Sequence, residues 1–163
     1  MQHGTLATIH RHLGNHAEAV SFNTRALAIK TAALGEMHPE VARTLGNLAI
    51  LHGDAGNHVT SLELYAKAVC VLTECLGEQH CDTALMLDKM ASTHRRLGQL
   101  SEAAALYGRA GTSYAASLGQ LHPEVGRGRH AYIHSAGHAS DPPPPGAEHQ
   151  SMPTFSPFCT LVT

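Results

Sequence analysis

The sequence has no tryptophan, and Phe, Trp and Tyr together make up only 4% of its 163 residues. A core without large rings must be filled by Ala, Leu and Val, which suits helices packed at short distance. Neither sign of charge is in excess, since 11 Lys and Arg stand against 13 Asp and Glu for a formal net charge of -2. No surplus of cations is left to neutralise a phosphate backbone, which argues against nucleic acid as a partner. No apolar run approaches the roughly 18 to 20 residues that cross a bilayer, and polar residues interrupt MQHGTLATIHRHLGNH where a secretory leader has its apolar stretch. The expectation is a soluble, cytoplasmic chain with no membrane partner. The four cysteines, Cys70, Cys75, Cys81 and Cys159, form no C-x2-C pair and are expected as reduced thiols.

What the sequence does contain is a period. Leu34-Gly35, Leu76-Gly77 and Leu118-Gly119 lie 42 residues apart, as do His38, His80 and His122, and Gly14, Gly56 and Gly98. The same offset joins His10, His52 and His94, and Ala7, Ala49 and Ala91. Within residues 38–79 the eleven positions His38, Ala42, Leu45, Ala49, His52, Gly56, Leu64, Tyr65, Ala68, Leu76 and Gly77 all recur 42 residues later. A fixed period of this length marks a stack of supersecondary units rather than a single closed core.

Each unit reads as two helices. Apolar residues fall at helical spacing in Leu45, Leu48 and Ala49, and again in Leu62, Tyr65, Ala68, Val69 and Leu72. Between them stands Gly14, Gly56 or Gly98, able to take the positive φ that closes one helix and starts the next. His38-Pro39-Glu40-Val41 and His122-Pro123-Glu124-Val125 mark helix starts, with proline in the first turn and a carboxylate beside the positive end of the dipole. The other six prolines lie at 142–145, 153 and 157, in a stretch without helical period. Repeats are therefore expected over about 1–37, 38–79 and 80–121, with a partial one over 122–136. A Pro-rich, disordered tail is expected over 137–163.

These features resemble tetratricopeptide repeat proteins, and among them the long-period class found in kinesin light chains and their relatives. The resemblance covers roughly residues 1–135. It rests on the period, the Leu-Gly-x-x-His-Pro-Glu-Val linker, and two helix patterns. The first-helix pattern stands as Leu45, Leu48, Ala49 and as Leu87, Met90, Ala91; the second as Ser61, Tyr65, Ala68 and as Ala103, Tyr107, Ala110. It implies an all-α, right-handed superhelical solenoid of antiparallel helical hairpins, acting as a non-enzymatic scaffold or adaptor for protein or peptide partners. The family's usual late first-helix tyrosine is replaced by His10, His52 and His94. The first repeat opens at Met1 without room for its first turn, which suggests part of a longer array or a larger assembly.

In such a solenoid the first helices of successive repeats line the concave face. The groove positions implied by the resemblance include Arg11, Arg43, Asn47, Ile50, Lys89, Ser92, Arg95, Arg96 and Arg127. Thr5, Thr8, His12, Asp54, Asp88, His130 and His134 accompany them. Six of the eleven basic residues fall here (Arg11, Arg43, Lys89, Arg95, Arg96 and Arg127) but only Asp54 and Asp88 of the thirteen acids. A basic groove would select acidic, extended segments, with the Asn47 amide offering donor and acceptor to a peptide backbone and Ile50 a pocket. The competing reading is a merely solvated helix face.

Fourteen histidines raise the alternative of a metal-binding protein. His38, His80 and His122, like His10, His52 and His94, are separated by whole repeats, too far apart for one ion. His130, His134 and His138 would share a face only if that glycine-containing stretch were helical. No phosphate loop, G-x-S-x-G elbow or H-E-x-x-H helix occurs, so no catalytic residue, metal site or cofactor is assigned. A truncated array without independent function is the remaining alternative.

Overall fold

The computed structural model describes residues 15–118 and 133, and the expected boundary at 136, the partial repeat beyond 122 and the tail lie outside them. Five helices follow one another: α1 His16–Leu34, α2 Pro39–Asp54, α3 His58–Leu76, α4 Cys81–Arg96 and α5 Leu100–Leu118. The 42-residue period holds in three dimensions, since α2 and α4 both run 16 residues while α1, α3 and α5 all run 19. The result is an all-α solenoid in which α2 with α3 and α4 with α5 form successive hairpins, and α1 packs on α2 with the length and column positions of α3 and α5.

Each helix start and stop has a local cause. At the heads of α2 and α4 the imidazole Nδ1 of His38 and of His80 accepts the backbone N–H of Glu40 and Asp82, each at 3.1 Å. This satisfies one of the amides that a helix start leaves unpaired. Pro39 fills the first helical position of α2, where it loses no hydrogen bond. The turns into the second helices pass through Gly56 at φ 82° and Gly98 at φ 75°. The glycines of the Leu-Gly linkers are left-handed too: Gly35 (φ 84°) and Gly77 (φ 91°) end α1 and α3 by donating to Thr31 and Thr73 O at 3.0 Å.

The interior is made of small residues, as the shortage of rings predicts. Ala42, Ala49, Ala68, Ala84, Ala91, Ala103 and Ala110 are wholly buried, and Tyr65 and Tyr107 provide the bulk between them. Ser61 is also buried and donates its hydroxyl to Ala49 O at 2.7 Å, binding α3 to α2. Met86 of α4 completes the cluster formed by Ala42, Ala49, Tyr65, Ala68 and Leu72, so the core runs from one hairpin into the next. Gly46 makes this possible, because a Cβ there would stand 2.6 Å from the Met86 sulfur.

Candidate functional site

The first helices α2 and α4 touch each other directly, and in a solenoid of stacked hairpins the successive first helices are expected on the inner side of the curve. Arg43, Asn47, Ile50 and Asp54 follow one another at helical spacing along α2, and Leu85, Lys89, Ser92 and Arg96 occupy the same columns on α4. Asn47, Lys89, Arg95 and Arg96 are exposed there, while Ile50 and Ser92 are half-buried. Ile50 packs against the core cluster around Tyr65 and closes it from this side. Leu85 remains 38% exposed, an apolar side chain standing where α2 carries Arg43. Arg11 and Arg127, together with Thr5, Thr8, His12, His130 and His134, lie outside the described residues.

The electrostatics of the face differ from a count along the sequence. The Arg43 guanidinium is held from two sides, by Glu40 Oε1 at 2.9 Å and by Asp82 Oδ2 of the next repeat at 2.8 Å. Glu40 in turn accepts from Lys30 Nζ of α1 at 3.0 Å, and the same ammonium reaches Thr44 Oγ1 at 3.1 Å. A chain of charges thus links α1, α2 and α4. The Asp82 carboxylate, and Glu40 after it, raise the Arg43 pKa, and the Lys30 hydrogen bond chiefly holds Glu40 below its ordinary range. Further along, Arg96 stands 3.9 Å from Asp54. Glu40 and Asp82 were not among the groove residues expected from sequence, and they bring the local balance on these two helices close to neutral around Arg43. The Glu40–Arg43 half was legible as an i, i+3 pair of opposite charge. The Asp82 half was not, since it spans 39 residues between unlike columns.

Three of the repeated histidines, His38, His80 and His94, have local partners for their side chains. His94 Nδ1 lies 2.7 Å from Gln99 Oε1, and His52 is half-buried at the end of α2. Among the described residues, His80, Cys81 and Asp82 place a nitrogen, a sulfur and an oxygen within 4.8 Å of one another. Two of these groups are already committed, the His80 Nδ1 to the Asp82 amide and the Asp82 carboxylate to Arg43. The positive end of α4 also opposes a cation there, so we assign no metal to this group. His130, His134 and His138 lie outside the described residues. Among the described residues Cys70, Cys75 and Cys81 form no disulfide, and Cys75 donates to Met37 O at 3.3 Å.

Two family models, both described as tetratricopeptide repeat, match residues 1–69 and 83–124 of the sequence. The chain is a tetratricopeptide repeat protein. Its fold is similar to that of the nearly identical repeats ascribed to a kinesin light chain of Podosopora anserina, with a TM-score of 0.73 at 22% identity over 82% of this chain and 64% of that one. BtubC (BKLC) from P. vanneervenii is similar at a TM-score of 0.69 and 20% identity, over 82% of this chain and 57% of that one. This tetratricopeptide repeat chain thus spans less than two thirds of the length of these solved relatives. No curated protein matches it by sequence. Among its described residues no helix is long and apolar enough to cross a membrane.

Proposed function

We propose that the face formed by α2 and α4 binds an extended segment of a protein partner, and that the chain acts as a non-enzymatic scaffold or adaptor in the cytoplasm, as one part of a larger assembly. Tetratricopeptide repeats mediate protein–protein interaction, and the observation that carries the reading to this face is its residue content. Where the core columns repeat from one hairpin to the next, this face presents an exposed amide, Asn47, beside half-buried Ile50, and an exposed ammonium, Lys89, beside Ser92. An amide can pair with both the N–H and the C=O of an extended backbone, and a partly open Ile offers an apolar contact. Arg43 is engaged by Glu40 and Asp82 and Arg96 stands 3.9 Å from Asp54, so Lys89 and Arg95 are the cations most open to a ligand, with Arg96 beside them, and acidic side chains are the preferred complement. Exposed ion pairs contribute only about 0 to 1 kcal/mol each, so charge selects the partner and the apolar and backbone contacts retain it.

The test is binding of extended acidic peptides, compared with neutral peptides of the same length, at low and high salt. We expect acidic peptides to bind more tightly, salt to weaken them, and Arg95→Glu with Arg96→Glu to abolish the preference. Unchanged binding by that double variant would move the partner to another surface.

A further inference from the structure

Both helix-capping histidines must be neutral to do what the structure has them do. A ring nitrogen that accepts an amide hydrogen carries a lone pair, so Nδ1 of His38 and His80 is unprotonated and the ring proton sits on Nε2. Beyond that shared role the two sites differ. At His38 the neighbouring carboxylate, Glu40, has both oxygens taken, one by Lys30 and one by Arg43. At His80 the neighbouring carboxylate, Asp82, lies with Oδ2 3.9 Å from Nδ1, and this is the oxygen that Arg43 holds at 2.8 Å.

We propose that His80 is a proton-operated latch on Arg43: when neutral it caps α4 and leaves Asp82 to Arg43, and when protonated it takes the Asp82 oxygen and leaves the guanidinium to Glu40 alone. A proton from solvent adds to Nδ1 and turns the acceptor into a donor. It can then no longer face the Asp82 N–H, and a positive ring at the head of a helix is opposed by the dipole. The nearest acceptor of opposite charge is the Asp82 carboxylate, reached by a small rotation of the ring. The His80 side chain is 37% exposed, so protons reach it.

Among the described residues, the other groups around the ring do not offer a better partner. On α4 the Cys81 sulfur lies 3.9 Å from Nδ1. In the linker, Glu78 is bound by Arg109 of α5. From α5, Ala116 and Ser117 line the open hollow beside His80, and neither carries a charge. From α2, Arg43 approaches through Asp82, with Glu40 behind it.

The latch stands on the contact of the start of α4 with Arg43, while its effect on a ligand rests on the inner-face reading, and the experiment separates the two by using no ligand. Nitrogen NMR of the full chain follows the Arg43 Nε–H and the Glu40 and Asp82 backbone amides between about pH 7.5 and 5.5, where histidine changes charge. In the parent we expect the Arg43 and Asp82 signals to shift together. In His80→Asn, whose side chain caps a helix without titrating, neither should move. His38→Asn should silence the Glu40 amide and leave the Arg43 shift intact. Asp82→Asn should displace the Arg43 signal already at the upper pH and make it insensitive to acid. An Arg43 signal that stays still in the parent, or still shifts in His80→Asn, would overturn the latch whatever the protein binds.

Discussion

The hairpin of α2 and α3 and the hairpin of α4 and α5 are one design inside and two different surfaces outside. Ala42 and Ala84, Ala49 and Ala91, Tyr65 and Tyr107, and Ala68 and Ala110 share columns and are buried in both hairpins. On the inner face the columns part: Arg43 against Leu85, Asn47 against Lys89, Ile50 against Ser92, Asp54 against Arg96. A stacked repeat must fit the unit before it and the unit after it, so an interior column admits few side chains. The inner face has no further helix laid over it among the described residues, and there each repeat is free to differ. Shared columns therefore mark the fold, and the divergent ones on this face mark where the two hairpins present different surfaces.

The comparison breaks first where a shared column is not equally buried. Leu87 is 1% exposed and packs with Ala84, Ala110 and Tyr114, whereas Leu45, its counterpart, is only half-buried. Leu87→Ala should cost about 2 to 5 kcal/mol and Leu45→Ala clearly less, because the larger cavity opens where neighbours cannot collapse. Urea unfolding of both variants checks this, and equal losses would mean that the two hairpins are packed alike.

Overpacking probes the same interior from the other side. Ala49 is wholly buried, and its carbonyl receives the Ser61 hydroxyl, so the two helices cannot separate there without losing a buried hydrogen bond. Ala49→Leu is expected to cost about 1 to 3 kcal/mol, seen as a lowered thermal midpoint. A melt like the parent's would contradict the close crossing of α2 and α3.

How much of this could be read from sequence follows the same division. Columns such as Tyr65 with Tyr107 and Ala68 with Ala110 were legible because repetition at 42 residues reports a packing demand that recurs. His38 and His80 were legible as helix starts, but not as side-chain caps, since that depends on which ring nitrogen meets which amide. Contacts between unlike columns left no trace in the period. Gly46 accommodates Met86 although their columns carry Asp88 and Thr44 in the other repeat, and Arg43 meets Asp82 although its own counterpart is Leu85. The expected groove cations on α2 and α4 do lie along these helices, yet one of them is occupied by acids that the count left out. Charge along a helix is readable from spacing; its partner across a repeat boundary is a matter of three-dimensional register.

A smaller effect sharpens the electrostatic side. Glu40 is held below its ordinary value of 4.5, first by the Lys30 hydrogen bond and then by Arg43. A carboxyl whose folded pKa is lowered stabilises the fold above its unfolded pKa, and that contribution fades as pH falls through the lowered value. The side chain is 42% exposed, so solvent screening limits the effect of Glu40→Gln to about 0 to 1 kcal/mol at neutral pH. The gap between parent and variant should close as pH drops below 4.5, measured by denaturant midpoints at a series of pH values. A gap that stayed constant with pH would assign the loss to packing rather than charge.

The smallest expected change in stability belongs to the divergent columns. Exchanging Asn47→Lys with Lys89→Asn moves one ammonium from α4 to α2 and keeps the composition and net charge. Both positions are exposed and lie inside helices of the same length, so the difference in helix propensity between Lys and Asn cancels. Unfolding midpoints should therefore stay within about 0.5 kcal/mol of the parent. Binding should not be conserved. In the parent, Lys89 lies on the same helix as Arg95 and Arg96, while Asn47 lies beside Ile50; the exchange disperses the charge and removes the amide from the apolar contact. Acidic peptides should bind the exchanged protein more weakly at the same salt. Equal affinity would mean that the ligand senses only the total charge of the face, and that its two repeats are interchangeable outside as well as inside.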